Sequence, residues 1–424
     1  MHLCYNGLKK PGHNGGIMEF KEYRDEINHI FAAYSRRGFV DYYNCRGLWS
    51  DMTSLMTEAT ADLGRQGQYK ELFELANKAF LKWAKTDKDD SDGETQDFVC
   101  YVFGAWDAVY AADDPKINHA KMLEWFLKNL DGSVIDYMED ELYRYMMEHF
   151  KEEELLNKKM NFLKEKIELF EKSEDHFHVE FHLPRCKERV LTLMGELKYP
   201  IDEVRQYAGT IKSYFVKETL AKIELDYGNI DESIAIYEEL AEREDQRWGR
   251  NEYREKLMHI YKDHGNQEKY FENLKLAMRA AVGNMELWEE YKSNFSKEEW
   301  PTAREEIFGV IKKTDYRASS WYAEEDRYDL VMDIVESCED TNLIKAYEKK
   351  LKKLYPERCL TVLTCKADRV AHDGNKRSDY RKLAGLLKWI QRYPGGDDVA
   401  EAHAEKYRQA YPRRKAMLEE LMKL

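Results

Sequence analysis

A histidine-rich stretch is the first part of the sequence whose side chains could bind a metal ion. It reads DHFHVEFHLPRC, and on one helix its His178 and His182 would lie one turn apart and could share an ion, with Cys186 following. Glu180, however, does not stand where the HExxH motif of metallohydrolases has its glutamate, and Pro184 would disrupt a helix that carried Cys186. We therefore favour a polar loop or helix start with surface histidines, and we predict no metal or other cofactor.

An acidic stretch, DKDDSDGE, is similar at first sight to a calcium-binding loop. If Gly93 took the sixth position of an EF-hand loop, Lys88 would take the first and Val99 the twelfth, where oxygen ligands are needed. Calcium binding is therefore disfavoured. The residue types instead predict a solvated loop ending in a capping box, in which the Ser91 hydroxyl binds a backbone N–H of the next helix and Glu94 reaches back.

Signatures of nucleophilic catalysis and of phosphate binding are missing. The sequence has neither a GxSxG motif nor a GxxxxGKS/T motif. Seven cysteines and twelve histidines allow chance pairs, but no local pattern marks one of them as a nucleophile. The protein is therefore predicted not to be an enzyme.

Aromatic side chains are the remaining candidates for a binding site. In a helical protein most large rings fill the core, where each buries ~150–250 Å², and a minority can anchor a partner at the surface. The candidates for partner contacts are Trp288, Tyr291, Trp321, Tyr322, Arg413 and Arg414.

All of these residues depend on helices for their positions. Glycine (22) and proline (8) together make only about 7 % of the 424 residues, against a usual ~12 %. Apolar residues recur at helical spacing, as at Leu343, Tyr347, Leu351 and Leu354, and no alternating strand pattern stands out. The fold class is therefore predicted to be all-α.

A degenerate repeat suggests how the helices are arranged. Three segments each place a Gly-Asn turn before an amphipathic helix: YGNIDESIAIYEEL, HGNQEKYFENLKLA and DGNKRSDYRKLAGLL. The separation between Gly228 and Gly265 is close to the length of one tetratricopeptide unit, about 34 residues. We predict a right-handed α-solenoid of stacked antiparallel helix pairs. It is expected to run continuously through residues 18–424, with a soft boundary near 173–186, after a flexible leader at 1–17.

The charge balance argues against direct binding of nucleic acid. Asp and Glu (81) outnumber Lys and Arg (67), and the net charge of −14 would repel phosphates. An odd number of cysteines without a CxxC pair is typical of reduced thiols. Since no segment has the character of a signal peptide or a membrane span, a cytoplasmic location without membrane contact is predicted.

Several phrases occur in an order that resembles one bacterial family. They include ADLGRQGQYKELFELANKAF, DDSDGE, FGAWDAVYAADDPKINHAKMLEWFLK, SWYAEEDRYDLVMDIVES, AYEKKLKKLYPERC and the closing YRQAYPRRKAMLEELMKL. Together they resemble the C-terminal helical-repeat region of bacterial SWIM zinc-finger proteins, over roughly residues 20–424. The finger itself needs a CxC and a CxH pair, and neither occurs; Cys4 and Cys45 have no partner at that spacing. The resemblance implies a stand-alone helical-repeat module without the zinc-binding part.

These observations predict a non-catalytic scaffold with tetratricopeptide-like repeats that binds a protein or peptide partner in its concave groove. One alternative, which follows only from the resemblance, is a nucleic-acid-associated accessory factor of a SWIM zinc-finger system. The other is a metal-dependent enzyme that uses His178, His182 and Cys186.

Overall fold

A computed structural model describes residues 18–213, 215–242, 249–312 and 314–424. About three quarters of the chain is helical, with 23 α-helices in the described part, so the all-α prediction is confirmed. The predicted leader at residues 1–17 lies outside the described residues.

The chain divides into two compact units, and the first ends at Asn229. Its described helices are α1 (Phe20–Tyr34), α2 (Tyr42–Arg65), α3 (Tyr69–Ala84), α4 (Glu94–Ala112), α5 (His119–Asn129), α6 (Asp136–Glu148), α7 (Glu153–Glu171), α8 (Leu183–Glu196), α9 (Ile201–Ala208) and α10 (Val216–Asp226). A π-helical turn, His178–His182, precedes α8, and the two-residue strands β1 (Phe39–Val40) and β2 (Asp87–Lys88) pair in parallel.

The second unit is Ile230–Leu424. Its described helices are α11 (Ile230–Glu242), α12 (Gly249–Asp263), α13 (Gln267–Ala280), α14 (Met285–Lys292), α15 (Trp300–Val310), α16 (Ser319–Glu324), α17 (Tyr328–Cys338), α18 (Thr341–Ala346), α19 (Glu348–Leu354), α20 (Pro356–Asp373), α21 (Arg377–Ile390), α22 (Gly396–Ala410) and α23 (Lys415–Leu421). A 3₁₀ turn, Tyr316–Ala318, precedes α16.

The boundary between the two units follows the Gly-Asn turn at Gly228, while the soft boundary near residues 173–186 stays a prediction. At residues 173–186 the chain passes from α7 through the π-helical turn into α8, and α7 and α8 pack against each other. That packing keeps both helices in the first unit.

Two of the predicted Gly-Asn turns end their helices in the same way. Gly228 and Gly265 have φ of +80° and +73°, a left-handed conformation that glycine adopts without steric cost. The next N–H in each case, from Asn229 or Asn266, donates to a carbonyl of the last helical turn at 2.9 Å. The third turn differs, because Gly374 has φ of −64° and ends α20 in an extended conformation.

Aromatic rings fill the core of the first unit. Trp106 has no exposed surface and packs its ring 4.9 Å from that of Phe126 and 5.0 Å from that of Tyr145. Trp83 stacks on Phe98 at 4.3 Å and joins α3 to α4. These contacts fix the start of α4, which carries part of the candidate site.

None of the described helices is at once long and apolar enough to cross a membrane.

Candidate functional site

Two helix starts and one loop meet at the short parallel strands of the first unit. Phe39 pairs with Asp87 and Val40 with Lys88, and the N–H of Asp89 extends the pairing by donating to the Val40 carbonyl at 2.9 Å. Because β1 leads into α2 and the loop after β2 leads into α4, this pairing places the first turns of the two helices together.

The first turn of α2 contributes Cys45. Asp41 caps this helix, since its side chain accepts a hydrogen bond from the backbone N–H of Asn44 at 3.0 Å. The cap fixes the start of the helix, and Cys45 in the same turn points inward with no exposed surface.

The loop before α4 does not form the predicted Ser91–Glu94 capping box. Ser91 donates to Asp89 instead, and Asp90 accepts from the backbone N–H of Thr95 at 3.1 Å. Asp90 therefore takes the place of Ser91 in binding an N–H of the first turn. Glu94 is released from the cap, and its side chain is buried, with 7 % of its surface exposed.

Cys45, Asp90 and Glu94 form a compact cluster. One ligand atom from each, the thiol sulfur and two carboxylate oxygens, lies within 4.8 Å of the other two. Oε2 of Glu94 is buried without a hydrogen-bond partner. Burial raises the pKa of Glu94, and the adjoining Asp90 carboxylate raises it further. Burial, with the charges of Glu94 and Asp90, likewise raises the pKa of the Cys45 thiol to about 12.

Lys88 lies beside this cluster, but its ammonium group is used elsewhere. Its Nζ donates to the carbonyls of Trp83 and Thr86 at 2.8 and 3.2 Å, where α3 ends, and lies 5.3 Å from the Trp83 ring centre. Burial lowers the pKa of Lys88. Lys88 therefore caps the end of α3, while its charge also attracts Asp90.

An open groove of about 590 Å³ leads to the cluster, and we call it the acid–aromatic groove. Its lining residues are Phe39, Lys88, Asp89, Asp90, Ser91 and Tyr137. Phe39 and Tyr137 are each 47 % exposed. The exposed ring of Tyr42 reaches the same acidic loop, since its hydroxyl donates to Asp92 at 2.9 Å. Carboxylates next to exposed aromatic faces suit a cationic ligand.

The four aromatic residues that sequence analysis offered as partner contacts lie in the core of the second unit. Trp288, Tyr291 and Trp321 have no exposed surface and Tyr322 has 4 %. Trp288 stacks on Trp321 with ring centres 5.1 Å apart, and it packs on Phe308 at 5.4 Å. A ring buried between helices cannot reach a partner, so we correct these four residues to core positions.

The two arginines predicted to contact a partner have different surroundings. Arg414 donates to the carbonyls of Ala371 and Gly374 at 2.6 and 3.0 Å and lies over the Tyr411 ring at 4.3 Å. It thereby binds carbonyls at the end of α20, which is a structural role. Arg413 is exposed.

Among the described residues, His182 and Cys186 do not belong to a group of side chains that could hold a metal ion. His182 stacks on the Phe170 ring at 5.7 Å, while Cys186 is buried, and its pKa is raised by that burial. The side chain of His178 lies outside the described residues. Among the described residues, a metal-ligand grouping forms instead around Cys45.

Comparison with known proteins gives no match to a family model, a curated protein or a solved structure. The resemblance to SWIM zinc-finger proteins therefore stays a prediction. The function is argued below from the geometry of the acid–aromatic groove.

No local sequence pattern marks Cys45 or Glu94 as a ligand. A glutamate at a helix start is typical of an exposed capping box, and its local neighbours do not reveal that it is buried. A lone cysteine in an amphipathic helix is typical of a core residue. The acidic loop that contains Asp90 resembles a calcium-binding loop only at first sight, and its sequence predicts a helix cap.

Proposed function

We propose that the protein is a non-catalytic scaffold that binds a lysine- or arginine-bearing segment of a partner protein in the acid–aromatic groove. The observation that carries the proposal is the juxtaposition of exposed Phe39 and Tyr137 with Asp89 and Asp90 along one open groove. Exposed apolar surface that lines one groove and is bordered by polar residues marks a candidate binding site.

The chemistry of the groove favours a cation on a flexible stem. An ammonium or guanidinium group over an aromatic face gains about 0.5–1 kcal/mol at an exposed site and more when desolvated. The aspartates add charge attraction, and the protein's net charge of −14 attracts basic partners from a distance. A nucleic acid would be repelled by the same groups.

The wider architecture proposed for the scaffold is the right-handed solenoid of tetratricopeptide-like helix pairs. Its support is the sequence repeat and the use of left-handed Gly228 and Gly265 to join successive helices. A cytoplasmic location is proposed on the cysteine pattern, and a relation to SWIM zinc-finger proteins on the shared phrases.

The test is fluorescence anisotropy with a labelled peptide in which Arg and Lys alternate with Gly and Ser, at physiological ionic strength. We expect Phe39→Ala and Tyr137→Ala each to weaken binding by about 3- to 10-fold, because each removes a cation–π contact of about 1 kcal/mol without changing the protein's charge. Tyr316→Ala is the matched control, since Tyr316 is 60 % exposed in the second unit.

The outcomes separate groove binding from general attraction to an acidic protein. Equal affinities in wild type and both groove variants would show non-specific charge attraction and reject the proposal. Equal binding of a peptide with Glu in place of Arg and Lys would reject it as well, and so would tight binding of a labelled oligonucleotide that competes with the peptide.

A further inference from the structure

Among the described residues, no basic side chain forms an ion pair with the facing carboxylates of Asp90 and Glu94, although the charge of Lys88 attracts Asp90 from nearby. Their oxygens lie within the 4.8 Å grouping, and Oε2 of Glu94 is nine-tenths buried without a donor. A buried acceptor that makes no hydrogen bond costs about 1–3 kcal/mol, and more when it is charged. Two acceptors placed together in this way need a proton or a metal ion between them.

Basic side chains do not meet that need in the described part of the chain. No described lysine or arginine forms an ion pair with Asp90 or Glu94, and the Nζ of Lys88 is directed to backbone carbonyls. The third member of the group is the Cys45 thiol. A proton shared by the two carboxylates would not need this thiol, whereas a metal ion could bind all three groups.

We propose that Cys45, Asp90 and Glu94 are three ligands of a divalent transition-metal ion of the zinc type. A thiolate sulfur selects zinc-like ions over calcium and magnesium, which take oxygen ligands, while carboxylate oxygens are also good zinc ligands. The thiol proton is released when the ion binds. The site shares Asp90 with the acid–aromatic groove, but it is inferred from the buried cluster alone and does not rest on peptide binding.

The geometry requires only small side-chain adjustments. Zinc lies about 2.3 Å from sulfur and about 2.0–2.2 Å from oxygen, so tetrahedral ligand atoms lie about 3.3–3.6 Å apart. The three atoms here are already within 4.8 Å of one another. They come from the first turns of α2 and α4 and from the loop that the β1–β2 pair holds in place. Asp90 also lines the acid–aromatic groove, which gives an ion and a fourth ligand, water, a path to the site.

The experiment uses the full-length chain, reduced and without a His-tag. Titration with Co²⁺ alone should give a sulfur-to-cobalt charge-transfer band, and Zn²⁺ should abolish it at one equivalent, whereas Ca²⁺ and Mg²⁺ should not. Cys45→Ser should remove the band. Cys100→Ser is the matched control because Cys100 is exposed on α4, and that variant should keep it.

A second variant keeps the test decisive if Cys45→Ser does not fold. Glu94→Gln retains the thiol and the side-chain shape, so it should keep the band but weaken Zn²⁺ binding by at least about 100-fold, the upper end of what loss of an outer-shell partner costs. Absence of the band in wild type, or wild-type Zn²⁺ affinity in Glu94→Gln, would overturn the proposal and leave a shared proton between the carboxylates. Failure of peptide binding alone would not affect it, since metal binding is measured without peptide.

Discussion

Because of the buried lysine of α7, the free energy of unfolding of the first unit should rise with pH in the alkaline range. Lys159 has no exposed surface, and its Nζ donates to the carbonyls of Met146 and His149 at 3.1 and 2.9 Å, where α6 ends. Burial lowers the pKa of Lys159 to about 8, and the nearby charge of Lys151 lowers it as well. The charged form of Lys159 therefore destabilises the folded protein relative to the neutral form.

The sign and size of the effect follow from the two pKa values. In the unfolded chain the pKa of Lys159 returns to about 10.5, so between pH 8 and 10.5 the unfolded state binds more protons than the folded state. The free energy of unfolding therefore rises with pH in this window. A difference of about 2.5 pKa units corresponds to about 3 kcal/mol, of which about 2 kcal/mol should be gained between pH 7 and pH 10.

The assay is urea denaturation of wild type, Lys159→Met and Lys158→Met at pH 7 and pH 10. Lys158 is the matched control because it is the neighbouring lysine, 40 % exposed and paired with Glu154 at the surface. The stability of wild type relative to Lys159→Met should rise by about 2 kcal/mol from pH 7 to pH 10, and relative to Lys158→Met it should change by less than about 0.5 kcal/mol. If two transitions are resolved, the change belongs to the one that Lys159→Met shifts.

Two results would refute this reasoning. If the difference between wild type and Lys159→Met did not change with pH, Lys159 would have an ordinary pKa in the folded protein and would be hydrated. If the difference fell as pH rises, the charged form would be stabilised by its contacts more than burial destabilises it.

Two further predictions concern local contacts. In His119, burial lowers the pKa, but hydrogen bonds to the Glu152 carboxylate at 2.5 Å and the Tyr110 carbonyl at 2.9 Å outweigh it and leave the pKa raised. Its stabilisation should be present below pH 6.5 and lost as pH rises through the folded-state pKa, so His119→Gln should cost up to about 1 kcal/mol at pH 5.5 and less at pH 8.5 in denaturation experiments; an equal cost at both pH values would contradict this. Gly283 has φ of +90°, and a Cβ there would collide with the backbone of Arg317, whereas Gly265 has φ of +73° and open space. Gly283→Ala should therefore lower the free energy of unfolding by about 1–3 kcal/mol more than Gly265→Ala does. Equal decreases in the two variants would show that the backbone around Arg317 moves to make room for the Cβ.

Helix formation was predictable because its signals are local. The low content of glycine and proline and the helical spacing of apolar residues are properties of single chain segments. Together they predicted the all-α class. The Gly-Asn turns at Gly228 and Gly265 were predictable for the same reason, since the left-handed residue that ends a helix is most often glycine.

The accessibility of a ring was not predictable from the same signals. Trp288 and Trp321 were offered as partner contacts, but they stack on each other between α14 and α16 and are completely buried. The exposed Phe39 and Tyr137, which line the acid–aromatic groove, were not singled out. Whether an aromatic residue is core or surface depends on which other helix covers it.

The sequence by itself determined the helices, where several of them end, and the acidic character of the loop before α4. Only the tertiary structure decided that this loop lies against the first turn of α2, where Cys45 meets Asp90 and Glu94. The link is a parallel pair of two-residue strands, which is too short to leave an alternating pattern in the sequence. Contacts between distant segments depend on how whole helices pack, and that packing is not encoded in any one stretch of the chain.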